Sequence, residues 1–323
     1  MTLPSFLIIG AQRSASTTLH FSLARHPQIF MSRRKEINFF LRGEDGSLPS
    51  FVDDETTGHT PLTLADYEAV FAEAGPQHRA VGEASPSYLF AAVAPRIRAV
   101  LPDVKLVAIL RNPIDQAASI LSVWLGRPPV IEELEARLRN DELGPNGAPP
   151  LARHGRYVDH LAPYFDLFPR ESIKIVLFEE LKREPDALLA DVERFLGVEY
   201  VPLPRLHLNA SGPARSRFVE RALDAKQVAR ALLPGGVLRG LTGALHRIQS
   251  ANTRPAAPKI PPALRSEMNE RFYGGSVREL ERLTGLDLSV WRHCPVPPDE
   301  AINRRQPAFE NARSQTRGAG AAL

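Results

Sequence analysis

Cysteine is nearly absent: Cys294 is the only one in 323 residues. A single cysteine excludes an intrachain disulfide and a cysteine-based metal site. Long apolar runs are absent too, since none approaches the ~18 residues that a membrane span needs. The start at Met1 lacks the basic segment and the long apolar segment of a signal peptide. We therefore expect a cytoplasmic protein in a reducing compartment.

A strong charge of either sign is also missing. The formal net charge is +3, with 24% charged and 43% hydrophobic residues, as in ordinary soluble proteins. This mild excess of positive charge indicates anionic small ligands and predicts no nucleic-acid partner. The sequence predicts no particular oligomeric state.

Short apolar runs alternate with helical patterns, which is typical of an α/β fold. We predict a single domain over residues 1–294, built as a P-loop-like, doubly wound parallel sheet with helices on both faces. Residues 295–323 are rich in Pro, Arg and Ala without periodicity, so we predict a disordered tail. The predicted strands are 5–10, 79–83, 105–110 and 172–178, and the predicted helices are 17–25, 114–125, 157–165, 186–196 and 262–283.

The first strand leads through a glycine-bearing turn, from Gly10 to Leu19, into a helix. Such a turn directs backbone N–H groups and a helix N-terminus at one point, which suits a phosphate or sulfate group. Arg13 adds a fixed positive charge. Four hydroxyl side chains in the turn add further hydrogen-bond donors: Ser14, Ser16, Thr17 and Thr18. The simpler alternative is an ordinary βα turn with no ligand.

This turn differs from the P-loop pattern G-x-x-x-x-G-K-[ST] at two positions. Ala15 replaces the second glycine, and Ser16 replaces the lysine. A nucleotide kinase or phosphohydrolase, which would use magnesium and ATP, is therefore disfavoured but stays open as an alternative. A non-catalytic nucleotide-binding protein is the second alternative.

The same turn resembles the donor loop, G-x-Q-[KR]-x-G-T-T-S-L, of sulfotransferases that use 3′-phosphoadenosine-5′-phosphosulfate (PAPS), especially bacterial and carbohydrate-type members. The resemblance implies that Arg13 is the catalytic cation at the 5′-phosphosulfate. It implies that the loop binds the 5′-phosphate through Ser14, Ala15, Ser16, Thr17 and Thr18. Ala15 stands where the family has glycine, and a positive φ there would be costly for a residue with a Cβ.

A second motif, beginning at Arg111 after the strand at 105–110, resembles the family's R-[ND]-P-x-[DE]-R-x-x-S. The resemblance implies that Arg111 and Ser119 bind the 3′-phosphate of PAPS, which distinguishes this donor from ATP. Gln116 replaces the usual arginine, and we expect that position to be peripheral. A late loop resembles one that closes over the nucleotide, which makes Ser211 and Arg217 further donor contacts.

Lys35 and Glu36 begin a segment that resembles the family's K-E-x-x-F-F, which makes Glu36 the candidate general base. The alternative is a surface ion pair of Glu36 with Lys35 or Arg34. Two histidines, His20 and His59, are reserve candidates for the base, because family members that act on phenols use histidine.

Glu83 precedes Ala84 in a segment similar to the family's E-x-[ST]-P-x-Y. It could pair with Arg13, cap a turn or act in catalysis. Relatives that sulfate heparan-type sugars often carry lysine where Ala84 stands, which argues against a polyanionic acceptor.

The resemblance implies an enzyme that moves a sulfuryl group from PAPS to a hydroxyl or amine without a metal. The acceptor would be a small molecule, a glycan or a lipid-linked compound. Residues 225–266 contain basic and apolar residues but no acidic one. This stretch is either a lid that contacts a membrane surface peripherally or a helical face that packs on the sheet.

Overall fold

The fold, obtained as a computed structural model, is built on one five-stranded parallel sheet. The structure describes residues 2–43, 47–52, 63–203 and 260–292. The strands are β1 Phe6–Gly10, β2 Ile29–Met31, β3 Ala80–Ala84, β4 Lys105–Leu110 and β5 Ile173–Leu177. Every pairing in the order β2-β3-β1-β4-β5 is parallel.

Helices connect the strands of the described ranges. They are α1 Ser16–Leu23, α2 Leu64–Ala69, α3 Ala94–Val100, α4 Pro113–Leu125, α5 Ile131–Arg139, α6 Leu151–His154, α7 Tyr157–Leu167, α8 Phe178–Arg183, α9 Pro185–Leu196, α10 Pro262–Thr284 and α11 Ser289–Arg292. Short 3₁₀ turns lie at Phe39–Leu41, Pro86–Phe90, Pro145–Gly147 and Arg170–Ser172.

The side chains of the central strands divide between two hydrophobic cores. In β1, Leu7 and Ile9 pack into one cluster, while Phe6 and Ile8 pack into the other. All four are fully buried. Successive side chains of a strand point to opposite faces, so both faces of the sheet are covered. The prediction of a parallel sheet with helices on both faces is therefore confirmed.

The strand order places the loops after β1, β3 and β4 beside one another. β1 lies in the centre, with β3 on one side and β4 on the other. The chain leaves β1 for one half of the sheet and later returns to build the other half. Ligands of open α/β sheets bind at the carboxyl ends of the strands beside such a change of direction. The three loops converge at that place.

The predicted elements occur close to their expected bounds, whereas several short ones were missed. The closing helix, predicted for 262–283, is α10. Strand β2 has three residues, and α2, α3, α5, α6, α8 and α11 have nine or fewer. Segments this short give too few residues for a periodic pattern to be recognised.

Some predictions concern residues outside the described ranges. They include the tail 295–323, residues 225–259 of the basic stretch, His59, Ser211 and Arg217. Among the helices that are described, none combines the length and apolarity required to cross a membrane.

Candidate functional site

Gly10 ends β1 and brings the following loop close to the 3₁₀ turn Pro86–Phe90. A Cβ at position 10 would lie 2.6 Å from the Cβ of Leu89, far closer than van der Waals contact allows. Only glycine therefore permits this approach. The loop that follows is held by Gln12, whose Nε2 donates to Ser87 Oγ at 3.0 Å.

The N-terminus of α1 has no side-chain cap. Its N-cap residue is Ala15, which has φ 72° and ψ 23°, and its first turn contains no acidic residue. The first N–H groups of a helix have no partner within the helix and are normally satisfied by a capping side chain, water or a ligand. The end of α1 can therefore take an anion. The expected cost of alanine at this position is present, because Ala15 does have a positive φ.

Arg13 and Arg111 converge beside this helix end. Arg13 Nε donates to Ser119 Oγ at 3.1 Å, and Arg111 Nη1 donates to the carbonyl of Arg13 at 3.0 Å. Arg13 Nη2 and Arg111 Nε are buried without a hydrogen-bond partner among the described residues. Burial, and then the charge of Arg111, lower the pKa of Arg13 to about 10, against an opposing effect of Glu36. Two crowded cations with unused donors form a site that an anion would stabilise.

Two aromatic side chains hold Arg111, the first residue after β4. Its guanidinium lies over the ring of Phe178, 4.6 Å from the centroid. The hydroxyl of Tyr157 donates to the carbonyl of Arg111 at 2.9 Å. These contacts orient the guanidinium toward the loop after β1. Arg111 and Ser119, predicted to bind one phosphate, both contact Arg13 in this structure.

The N-terminus of α4 is capped, unlike that of α1. Asn112 Oδ1 accepts from the backbone N–H of Ile114 at 3.0 Å and of Asp115 at 3.4 Å. Asn112 itself is held by Glu179, which accepts its backbone N–H at 2.9 Å, and by the carbonyl of Trp291 at 3.2 Å. Burial raises the pKa of Glu179. The backbone N–H groups at this helix end are thus hydrogen-bonded by the protein itself.

Gln116 occupies a central position, so the expectation that it is peripheral was wrong. Its side chain is buried, and its Nε2 donates to the carbonyl of Gln12 at 3.0 Å. Gln116 and Ser119 lie one turn apart on α4, so one helix face touches the loop after β1 at two points. The substitution of the family's arginine therefore contributes a hydrogen bond that holds the loop.

Glu36 lies on the segment between β2 and the 3₁₀ turn Phe39–Leu41. Its N–H donates to the carbonyl of Ala84 at 2.8 Å, and its φ is 60°. A glutamate rarely adopts this left-handed conformation, and residues that do so often lie at functional sites. The side chain is 44% exposed and pairs with Lys35 at 3.2 Å. The carboxylate is therefore accessible, as a base would have to be.

Lys35 contacts the loop after β1 as well as Glu36. Its Nζ donates to Thr17 Oγ1 at 2.9 Å and to Ser16 Oγ at 3.4 Å. Lys35 was not among the site residues predicted from the sequence. Its position beside Glu36 was the available signal, but the contact with α1 depends on how the chain folds back after β2.

Glu83 is a buried structural carboxylate, and the suggested pairing with Arg13 was wrong. The side chain is fully buried. It accepts from Ser85 Oγ at 2.6 Å, from the hydroxyl of Tyr88 at 2.8 Å and from that of Tyr67 at 3.1 Å. Burial raises its pKa although the three hydroxyls oppose the shift. Ser85 also accepts the N–H of Asn38, so this cluster supports the segment that carries Glu36.

A comparison with protein families decides the kind of protein that carries these groups. The model of the sulfotransferase family matches residues 4–202, more than half of the chain. The chain belongs to the sulfotransferase family. The prediction of a PAPS-dependent sulfotransferase enzyme with a P-loop-like fold is therefore confirmed for the family and the fold.

Curated relatives and a solved structure agree with this sulfotransferase assignment. The heparan sulfate glucosamine 3-O-sulfotransferase 6 of Homo sapiens is 28% identical over 288 residues, covering 88% of this chain and 73% of the relative. Its Mus musculus counterpart is 29% identical over 200 residues, covering 61% of this chain but only 53% of the relative. The crystal structure of a sulfotransferase from Alicyclobacillus acidocaldarius has a TM-score of 0.63 and 27% identity, and the match covers 91% of this chain and all of that one.

The remaining predicted residues of this sulfotransferase lie around the same loop. Ser14 is buried and donates to the carbonyl of Gln12 at 3.4 Å, whereas Thr18 is half-buried. His20 is buried within α1, and burial, followed by the charge of Lys35, lowers its pKa to about 3. A buried imidazole is poorly placed to meet an acceptor. Within the described ranges, no group of His, Cys, Asp and Glu side chains is arranged to hold a metal ion.

Proposed function

We propose that this sulfotransferase moves the sulfuryl group of PAPS to a hydroxyl or amine of an acceptor. The observation that carries the proposal is the convergence of Arg13, Arg111 and the uncapped end of α1 at the carboxyl edge of the sheet. These groups bring two fixed positive charges and N–H donors without partners to one place at the edge of the sheet. PAPS carries one anionic group at each end of its ribose, and the two motifs match these two groups.

The 5′-phosphosulfate would lie at the end of α1. The backbone N–H groups and hydroxyls of Ser14, Ser16, Thr17 and Thr18 would hold the phosphate, and Ala15 would contribute its N–H. Arg13 would stabilise the charge that develops on the bridging oxygen as the bond to sulfur breaks. Its unpaired Nη2 supports this role, because that donor is already desolvated and needs an acceptor.

The 3′-phosphate would lie between Arg111 and Ser119. Arg111 has an unpaired buried Nε, and Ser119 presents its hydroxyl on the face of α4 that contacts the loop after β1. Because Asn112 already accepts the first N–H groups of α4, the Arg111 side chain would supply most of the attraction for the 3′-phosphate. This site would distinguish PAPS from ATP, which has no phosphate at the 3′ position.

Glu36 would act as the general base. The acceptor oxygen or nitrogen attacks sulfur, and its proton moves to the Glu36 carboxylate. The bond between sulfur and the bridging oxygen breaks, its electrons stay on that oxygen, and adenosine 3′,5′-bisphosphate leaves. Two observations support this role. The Glu36 carboxylate is exposed, and Lys35 links it to the donor loop by donating to both Glu36 and Thr17.

A glycan acceptor is suggested by the names of the curated relatives, which act on heparan sulfate. Position 84, however, provides no cation for a polyanionic chain, because it is an alanine whose side chain is fully buried. We therefore propose a neutral or weakly charged acceptor, either a glycan, a small molecule or a lipid-linked alcohol.

The test follows release of adenosine 3′,5′-bisphosphate from PAPS, in EDTA, with separate pools of neutral glycans, heparan-type chains, phenols and lipid alcohols. We expect acceptor-dependent release that falls by roughly 10²- to 10⁴-fold in Glu36→Gln, because a general base contributes about that much. Glu73→Gln is the control, since Glu73 is another exposed glutamate paired with a basic side chain, that of Arg33. Magnesium-dependent turnover of ATP without turnover of PAPS would contradict the proposal.

A further inference from the structure

Lys35 joins the candidate base to the candidate donor loop. Its Nζ is 3.2 Å from Glu36 Oε1, 2.9 Å from Thr17 Oγ1 and 3.4 Å from Ser16 Oγ. An ammonium group has three N–H donors, so these three partners account for all of them. Two of the partners belong to the first turn of α1, the helix whose N-terminus has no cap.

The charge of Lys35 is only partly neutralised by its partners. Its side chain is 16% exposed, whereas that of Glu36 is 44% exposed and shares its charge with water. The partners on α1 are neutral hydroxyls. A cation this far from solvent is stabilised by a second anion, and the site in front of it is one where an anion is expected.

Ser16 stands where a P-loop carries its lysine, and Lys35 brings an ammonium group to that residue from another part of the chain. The hydroxyl of Ser16 is the acceptor at 3.4 Å. A cation at this point of a βα turn faces the terminal group of a bound nucleotide. The position of Lys35 in space is thus suited to the 5′ end of the donor.

We propose that Lys35 is a donor-binding residue, which takes an oxygen of the 5′-phosphosulfate in place of its present contact with a loop hydroxyl. This inference rests on the proposed donor site. Lys35 then contacts the donor and the base at once, so it holds Glu36 beside the sulfur that the acceptor attacks.

The test compares two ligands that differ only at the 5′ position. Calorimetry measures the binding of adenosine 3′,5′-bisphosphate and of adenosine 3′-phosphate to the wild type and to Lys35→Met. We expect Lys35→Met to weaken binding of the bisphosphate about tenfold, as for a lost charge-assisted hydrogen bond. Binding of the 3′-phosphate, which lacks the 5′ group, should stay within about twofold, and this result also shows that the variant is folded.

Three further variants separate donor binding from a role in packing. Lys35→Arg should recover part of the affinity, because it keeps the positive charge. Glu36→Gln should bind the bisphosphate at least as well as the wild type, since it removes a nearby negative charge. Lys174→Met is the matched control, because Lys174 is a partly exposed lysine paired with Asp191 at β5. It should leave the binding of both ligands unchanged.

The outcomes distinguish this inference from the proposed function. If the wild type binds the bisphosphate but Lys35→Met binds both ligands as the wild type does, Lys35 contacts only protein groups and the inference is wrong. The inference is also overturned if both ligands weaken equally, because the loss is then not specific to the 5′ end. If the wild type, with ADP measured in parallel, shows no preference for the bisphosphate over ADP, the donor site fails, and the inference fails with it.

Discussion

The N-termini of α1 and α4 leave the same edge of the sheet after the neighbouring strands β1 and β4, yet they differ in how their first N–H groups are satisfied. Helix α1 begins after Ala15, which has no capping side chain. Helix α4 begins after Asn112, whose side chain accepts two backbone N–H groups. One helix end is thus left open and the other is closed by the protein itself.

This difference indicates how each end of the donor would be bound. At α1 the backbone N–H groups can bind an anion directly. The residue before the helix, Ala15, has a left-handed conformation, and its side chain leaves these N–H groups uncapped. At α4 the first backbone N–H groups are already bonded to Asn112, so in the proposed site the 3′-phosphate would be bound by the side chain of Arg111. The cap of α4 lies in a buried network with Glu179 and Trp291, which belongs to the fold rather than to the ligand.

The largest expected effect is that of Arg13→Ala, beside the open N-terminus of α1. We expect kcat to fall by roughly 10²- to 10³-fold, as for the loss of one donor to a developing negative charge. The free energy of unfolding should stay level or rise, because a desolvated cation beside Arg111 is removed. Steady-state kinetics and urea unfolding test both parts. A large loss of stability with unchanged kcat would make Arg13 a structural residue.

At the closed N-terminus of α4, a substitution should instead lower the stability of the protein. Asn112→Ala removes the cap of α4 and the bond to the carbonyl of Trp291, so we expect a loss of about 2 kcal/mol in the free energy of unfolding. Thr17→Ala, at the open end, should change stability by less than about 0.5 kcal/mol. Equal losses in the two variants, measured by urea unfolding, would remove the distinction between the two helix ends.

The smallest expected effect concerns the backbone of the donor loop. Ala15→Gly should stabilise the protein by about 0.5–1 kcal/mol, since relief of the left-handed strain outweighs the greater entropy of an unfolded glycine. Gly126→Ala is the reverse control: Gly126 has φ +66° and no atom within 4 Å of a built Cβ. It should destabilise by a similar amount. Destabilisation by Ala15→Gly would mean that the methyl packing of Ala15 outweighs the strain.

The sequence predicted the parts of the fold and site that are local along the chain. The buried apolar runs that form β1 and β4 predicted a parallel sheet, because strands covered on both faces lack polar alternation. Gly10 and Arg111 followed such runs, so their place at the carboxyl edge could be expected. The glycine that the family has at position 15 signalled that a positive φ there would be costly for alanine, and Ala15 does have a positive φ.

Contacts between distant segments could not be predicted in this way. Lys35 reaches Thr17 only because the chain turns back after β2, a strand of three residues that the apolar pattern does not mark. Gln116 holds the carbonyl of Gln12, which is 104 positions away. The sequence alone does not separate a catalytic Glu83 from a structural one. Only its full burial among three hydroxyl groups identifies it as structural. The roles assigned to Arg13, Glu36, Arg111 and Ser119 remain predictions.

The most direct test of the donor site is calorimetric binding of adenosine 3′,5′-bisphosphate and of ADP, without magnesium, to the wild type and to Arg111→Ala. We expect a strong preference of the wild type for the bisphosphate, which Arg111→Ala abolishes because the 3′-phosphate loses its contact with the guanidinium. Equal or tighter binding of ADP, or a preference that survives Arg111→Ala, would contradict the donor site.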